Sequence, residues 1–200
     1  AVRPLDHVLE FGEVHDADRS PTHLVTRVRT MCAEVSREPV GAPRWRTMSS
    51  TAAPLEPRTV RVPGGGLLLT ADVYGDPAAP AVVLLHGGGQ TRHSWGSAAA
   101  AFARSGYHGV SVDLRGHGDS DWSPDGSYGM TEFAGDVRAL SRAFTSTAGP
   151  PTFVGASMGG LSLMVAVGET PPAEQAALAR CVVLVDVAPR IEVEGRDKIL

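Results

Sequence analysis

The sequence has little cysteine, almost no lysine and no long apolar run. Cys32 and Cys181 are its only cysteines. They are too few for a disulfide framework or a zinc site, so we expect a buried thiol at Cys181. No apolar run approaches the roughly 20 residues of a membrane span. No basic-then-apolar signal peptide opens the chain, which predicts a cytoplasmic location. Lys198 is the only lysine and the net charge is −4, so nucleic acid is not an expected partner.

The remaining composition is typical of a globular domain. The chain has 200 residues, of which 42% are hydrophobic and 20% are charged, as in ordinary folded proteins. Residues 1–47 differ from the rest, because they show no sustained period of 2 or 3.6. Met48 is typical of a natural start. We therefore predict that residues 1–47 are an extension, translated from upstream sequence or disordered, ahead of a domain over 48–200. A short helix within HLVTRVRTMCAEVSRE is the alternative.

From Arg58 onward, strand-like and helical patterns alternate. RTVRV and LLLTADVYG resemble two strands joined by a glycine turn, and AVVLLH, GVSVDL, PTFVGA and CVVLVDV are apolar runs typical of buried strands. Between them, MTEFAGDVRALSRAFTST is helical, with Thr131 as the expected N-cap. Its apolar residues fall on one helical face: Phe133, Val137, Leu140 and Phe144. The alternation predicts an α/β fold with a doubly wound, mostly parallel sheet.

The stretch TFVGASMGGLS, residues 152–162, contains the pattern Gly-x-Ser-x-Gly between an apolar strand and a helix. A serine on such a sharp turn has a strained backbone, so small residues are needed around it. Gly155 and Gly159 meet that need, and Gly160 adds room. The pattern predicts that Ser157 is a catalytic nucleophile. A purely structural serine is the alternative.

A second glycine-rich segment, His86–Gly89, closes the strand AVVLLH. Backbone N–H groups in such a turn can face a substrate oxyanion. We predict Gly88 N–H as one donor and Met158 N–H, next to the serine, as the other. Gly89 could replace Gly88, and a plain tight turn is the alternative. We expect His86 to brace this loop rather than to act as a base.

The segment DLRGHGDS, residues 113–120, follows the next strand and has the composition of a tight, self-bonded turn. His117 lies in it and is a weak candidate for the base. None of the seven histidines has metal-ligand spacing. No histidine follows Ser157, so the proton acceptor that a serine nucleophile needs is not evident.

Together HGGGQTRHSW, DLRGHGDS and GASMGG resemble the α/β-hydrolase superfamily over about residues 57–200. The spacing from His86 to Trp95 is similar to the branch of cofactor-free haloperoxidase-like hydrolases and small esterases. The resemblance implies that Gly88 is an oxyanion donor and that Trp95 and Gly89 contribute to substrate binding. Epoxide hydrolases and haloalkane dehalogenases look similar here but carry aspartate at the nucleophile, so Ser157 favours acyl chemistry.

In this superfamily the catalytic triad runs serine, acid, histidine along the chain. The resemblance therefore implies that the acid and histidine follow Leu200 and that the fold is incomplete at the C-terminus. Asp186, after CVVLVDV, is a candidate acid; a structural aspartate is the alternative.

The expected function is serine-dependent hydrolysis of a small-molecule ester or related acyl substrate, without metal or organic cofactor. Carbon–carbon hydrolysis and perhydrolase activity use the same parts. A non-catalytic ligand receptor and an inactive fragment are the alternatives, because fold alone does not define function.

Overall fold

The computed structural model describes the backbone of residues 28–32 and the whole of residues 55–187. Within these residues seven strands form one mixed sheet in the order β1-β7-β6-β4-β5-β3-β2. The strands are β1 Val28–Cys32, β2 Arg58–Pro63, β3 Leu68–Tyr74, β4 Ala81–Leu85, β5 His108–Val112, β6 Thr152–Ala156 and β7 Cys181–Val185. The helices are α1 Gly96–Arg104, α2 Met130–Phe144, α3 Met158–Gly168 and α4 Gln175–Leu178, and a 3₁₀ turn spans Arg92–Trp95.

The four central strands are parallel. β4 pairs with β5 and β6, and β6 pairs with β7, all in parallel. The hairpin of β2 and β3 adds antiparallel strands beside β5. Each parallel step crosses over through a helix, as parallel connections require. The carboxyl ends of β4, β5, β6 and β7 therefore meet at one edge of the sheet, and the predicted mostly parallel α/β fold is confirmed.

Two apolar clusters cover the two faces of the sheet. The larger one packs α2 and α3 against the sheet and is centred on Phe153, Leu140 and Leu163, all fully buried. The smaller one packs Ala99 and Ala100 of α1 against the opposite face. Helices on both faces explain why the central strands are continuous apolar runs rather than alternating ones.

The predicted apolar face of α2 is confirmed. Phe133, Val137 and Leu140 are buried, and Phe144 packs partly buried against the same cluster. The predicted cap is wrong, because Gly129 is the N-cap and the helix begins at Met130. The backbone changes from extended at Gly129 to helical at Met130, so the helix begins two residues earlier than a cap at Thr131 would give.

Residues 28–32 correct two further expectations. They form a strand, antiparallel to β7, so the helical alternative is wrong for this segment. Cys181 is half-buried and disulfide-bonded rather than a buried thiol. Its register partner across the β1–β7 ladder is Cys32, a non-local pairing that spacing could not predict. The rest of the 1–47 prediction lies outside the described residues.

Across residues 28–32 and 55–187, no helix combines the length and apolar character needed to cross a bilayer.

Candidate active site

Ser157 occupies the sharp turn between β6 and α3. Its backbone has φ +43° and ψ −111°, a region that a residue with a side chain rarely adopts and that stores strain. Its N–H donates to Val185 O at 3.2 Å, and its carbonyl accepts from Leu161 N–H at 2.9 Å. The side chain is exposed at the carboxyl edge of the sheet. The Ser157 hydroxyl is thus exposed on a turn whose backbone is held by hydrogen bonds.

Three glycines make this turn possible. A Cβ at Gly155 would lie 2.7 Å from the Gly159 carbonyl carbon, and one at Gly159 would lie 2.6 Å from Leu85 O. A Cβ at Gly160 would lie 2.9 Å from Gly155 O. These distances are too short for a side chain. Close backbone packing therefore explains why small residues are needed around Ser157, as the motif predicts.

The glycine-rich segment after β4 lies directly against this turn. A Cβ at Gly87 would be 3.4 Å from Ser157 Cβ, and Gly159 N–H donates to His86 O at 3.1 Å. Within residues 55–187, neither Gly88 N–H nor Met158 N–H donates a hydrogen bond to a protein acceptor. The Met158 N–H begins α3, where positive potential of the helix end favours an anion. Two N–H groups without protein acceptors therefore lie on the segments that flank the serine.

His86 is completely buried and is bonded through both ring nitrogens. Leu114 N–H donates to Nε2 at 3.1 Å, so Nδ1 carries the proton and donates to Gly87 O at 2.7 Å. Burial lowers the pKa of His86 and keeps the ring neutral. This arrangement links the glycine-rich segment to the end of β5. It leaves His86 no free nitrogen for proton transfer.

His117 also lacks the contacts of a base. Its Nδ1 lies 3.0 Å from Arg115 O, and its ring centroid lies 5.0 Å from that of His86. Among residues 55–187 no hydrogen bond joins a histidine to Ser157.

Trp95 and Asp186 are the remaining predicted site residues. Trp95 is half-buried against the α1-face cluster, and its indole N–H is buried without an acceptor in the described part of the chain. Asp186 is exposed and directly follows β7. Its φ of +49° is a left-handed conformation, which aspartate adopts more readily than most residues. Its neighbour Val185 accepts the hydrogen bond from Ser157 N–H, so Asp186 is adjacent to the serine turn.

An ionic network beside the glycine-rich segment was not predicted; its Arg92, Asp72 and Asp113 side chains are buried, whereas that of Asp119 is exposed. The Arg92 guanidinium contacts Asp113 Oδ2, Asp119 Oδ2 at 2.8 Å and Asp72 Oδ1 at 3.1 Å. The Asp72 contact is ionic only, because the Arg92 Nε–H is not aligned for a hydrogen bond. Burial alone would lower the pKa of Arg92, but its hydrogen bonds to Asp113 and Asp119 raise it above its ordinary value.

Asp113 is the best-bonded carboxylate of this network. Burial alone would raise its pKa, but hydrogen bonds from Arg92 N–H, Asp119 N–H and the Arg92 side chain lower it, so the group is ionised. Two sequence features could have indicated this network: an aspartate directly after a buried strand, and an arginine within HGGGQTRHSW. The sequence does not say which carboxylate meets which arginine.

No group of three or more metal-ligating side chains occurs within residues 28–32 and 55–187.

The model of the α/β-hydrolase fold family matches residues 80–191, more than half of the chain. The chain therefore belongs to the α/β-hydrolase fold family, as the three motifs and the sheet order indicate.

Individual relatives in this family are hydrolases of several kinds. An esterase of Mycobacterium tuberculosis is 35% identical over 112 residues, which cover 56% of this chain and 34% of the relative. The mouse sn-1-specific diacylglycerol lipase is 34% identical over 116 residues, which cover 58% of this chain and 35% of the relative. The chain thus spans about a third of the length of these relatives.

Solved structures agree with the fold. An esterase from Rhodococcus superposes with a TM-score of 0.50 at 30% identity, covering 62% of this chain and 43% of that one. Epoxide hydrolase A from Mycobacterium thermoresistibile superposes with a TM-score of 0.50 at 28% identity, covering 56% of this chain and 34% of that one.

Proposed function

We propose that this chain is the nucleophile-bearing part of a serine hydrolase that cleaves a carboxylic ester or a related acyl substrate. The observation that carries the proposal is the exposed Ser157 at φ +43°, on a turn closely packed against a glycine-rich segment. Strain of this kind persists only where the surrounding structure enforces it, and it concentrates at functional sites. The esterase and lipase relatives support the same chemical class.

In the proposed reaction, Ser157 Oγ attacks the acyl carbonyl carbon and its proton passes to a histidine. The tetrahedral oxyanion receives hydrogen bonds from Gly88 N–H, or Gly89 N–H instead, and from Met158 N–H. Such a donor contributes about 3 kcal/mol of transition-state stabilisation in other enzymes. Collapse expels the alcohol, which takes the proton from the histidine, and water then hydrolyses the acyl-enzyme by the same steps.

The histidine and its orienting acid belong, in this proposal, to sequence beyond residue 200. Asp186 is the alternative acid, because it is the carboxylate next to the serine turn. In this proposal Trp95 lines or supports the substrate pocket. A serine rather than a carboxylate at the turn favours acyl transfer over epoxide opening, although epoxide hydrolases are among the relatives.

The test uses the natural gene product that contains this chain and a short-chain p-nitrophenyl ester. We expect Ser157→Ala to lower kcat by about 10³-fold or more and to abolish labelling by a fluorophosphonate. Ser162→Ala is the matched control, because Ser162 is buried on the same helix and only bonds back to Met158 O.

Retention of both activity and labelling in Ser157→Ala would contradict the proposal. A folded, wild-type protein that neither hydrolyses esters nor reacts with the probe would favour the ligand-receptor alternative.

A further inference from the structure

Gly88 and Gly89, at the tip of the glycine-rich segment, have little packing of their own. A Cβ at Gly88 or at Gly89 would meet no atom within 4 Å. Inside the segment, Gly87 N–H donates to Gln90 Oε1 at 3.1 Å, and Gln90 N–H donates to Gly87 O at 3.2 Å. These bonds shape the turn but do not attach it to the sheet. The location of Gly88 and Gly89 therefore depends on how the residues on either side of them, up to His86 and Arg92, are held.

Both ends are attached to the residues that follow β5. At the first end, His86 Nε2 accepts from Leu114 N–H at 3.1 Å. At the second end, Arg92 N–H donates to Asp113 Oδ1 at 2.6 Å, and the Arg92 guanidinium bonds to Asp113 Oδ2. Ser111 Oγ also donates to Arg92 O. Arg92 is thus held by its N–H, its carbonyl and its side chain.

Asp113 is a rigid anchor for this end. It is fully buried, its own N–H donates to Thr70 O at 2.9 Å, and its carbonyl accepts from Ser120 Oγ at 2.6 Å. Asp119 N–H adds a third hydrogen bond to the carboxylate at 3.0 Å. Because this carboxylate is held in place directly after β5, its bonds to Arg92 fix Arg92 relative to the end of β5.

We propose that Asp113 and Arg92 are positioning residues, which set the location of the Gly88 and Gly89 N–H groups relative to Ser157. The inference rests on the proposed function, in which one of those N–H groups binds the oxyanion. Neither Asp113 nor Arg92 touches the substrate in this scheme. Their effect on catalysis is indirect, because a displacement of about 1 Å in a catalytic group can cost about 10²-fold in rate.

The chain contains a matched control pair. Arg115 and Asp136 form a second buried, doubly bonded ion pair, with Nε to Oδ2 at 2.6 Å and Nη2 to Oδ1 at 2.8 Å. Asp136 is fully buried, as Asp113 is. This pair contacts Gly65 and Ser127 and has no described bond to the glycine-rich segment. Its variants also disrupt a buried ion pair, but without the proposed positioning role.

The kinetic experiment compares Asp113→Asn with Asp136→Asn in the natural gene product, at a temperature where every variant is folded. We expect Asp113→Asn to lower kcat by about 10- to 100-fold, with KM changed less than about threefold. The affinity of a boronic acid, which mimics the tetrahedral adduct, should fall by the same factor as kcat/KM. Asp136→Asn should leave kcat and boronic-acid affinity within about threefold while lowering the melting temperature.

Arg92→Lys and Arg115→Lys form a milder second pair, useful if the asparagine variants do not fold. Lysine keeps the charge but loses the forked geometry of the guanidinium. We expect Arg92→Lys to lower kcat and Arg115→Lys not to do so. Equal losses of kcat in both pairs, in proportion to lost stability, would overturn the positioning role.

Hydrogen exchange gives a readout that does not depend on activity. The N–H groups of Gly87, Gln90 and Arg92 are hydrogen-bonded in the structure, and local opening sets their exchange rates. We expect Asp113→Asn to speed their exchange by about tenfold or more and Asp136→Asn to leave it unchanged. Unchanged exchange in Asp113→Asn would refute the inference even if Ser157 proves catalytic. If Ser157→Ala keeps activity but exchange responds as expected, the proposed function fails while the positioning of the segment stands.

Discussion

Gly159 lies where the first turn of α3 touches the end of β4. Its N–H donates to His86 O, and a Cβ there would lie 2.6 Å from Leu85 O and 2.8 Å from His86 O. Both neighbours are backbone atoms of a central strand and its end, so neither can rotate away. At this residue the backbone packing that supports the serine turn leaves no space for a side chain.

Gly159→Ala is therefore expected to lower the free energy of unfolding by about 1–3 kcal/mol, as measured by urea denaturation. Gly168→Ala in the last position of the same helix is the control. A Cβ there meets nothing within 4 Å, and alanine favours helix by up to about 1 kcal/mol over glycine. Equal stability of the two variants would contradict the steric account.

Among the described elements, α2 forms ion pairs of different burial with two other parts of the fold. Arg115 and Asp136 are buried and join the segment after β5 to the middle of the helix. Gly65 N–H also donates to Asp136 Oδ1 at 2.7 Å, which ties the β2–β3 turn to the same carboxylate. Arg138 and Glu169 form the second pair, between α2 and the end of α3, and it is largely exposed.

Arg115→Met is expected to lower the free energy of unfolding by about 3–5 kcal/mol, because it leaves the buried Asp136 carboxylate without its cation. Arg138→Met, on the same helix as Asp136, is expected to lower it by no more than about 1 kcal/mol, because water screens an exposed pair. Chemical denaturation of both variants measures the difference. A loss in Arg115→Met as small as that in Arg138→Met would show that burial does not control the strength of this connection.

At the scale of the whole fold, two buried histidines within residues 55–187, at opposite ends of the parallel strands, are expected to lower stability at mildly acidic pH. His86 follows β4 at the carboxyl edge, and His108 begins β5 at the amino edge. Burial lowers the pKa of both, and for His108 the nearby Arg58 lowers it further. Both rings are neutral in the folded state at neutral pH, whereas in the unfolded chain they protonate at about pH 6.5.

Between the unfolded and folded pKa values, the unfolded chain binds more protons, so the free energy of unfolding falls as pH decreases. We expect full stability from these groups above about pH 6.5 and a loss below it, of up to about 1.4 kcal/mol per pH unit for each histidine. Urea denaturation from pH 7.5 to 5 measures this slope. His86→Gln should reduce it, and an unchanged slope in a variant lacking both histidines would contradict the assignment.

Much of the fold was predictable from local pattern. The apolar runs of β4, β5, β6 and β7 match strands of the sheet, and the spacing of Phe133, Val137 and Leu140 predicts the buried face of α2. Element ends were less predictable, as the start of α2 at Met130 shows. The β1 strand and the bonded state of Cys181 were missed, because a pairing between distant segments leaves no local period.

Part of the candidate site was likewise predictable from local sequence, and part was not. The motif around Ser157 predicted a strand, a turn and a helix from residues that are neighbours in sequence. Short-range sterics and hydrophobic periodicity act over such distances, and the sequence by itself therefore determined most of the elements, the fold class and the candidate nucleophile. The proximity of Gly87 to Ser157, where a Cβ added at Gly87 would lie 3.4 Å from Ser157 Cβ, depends instead on β4 and β6 being paired in register. Only the tertiary structure decided that Asp113 pairs with Arg92 and Asp136 with Arg115, each across 21 positions of the chain, because crossover connections set which charges meet.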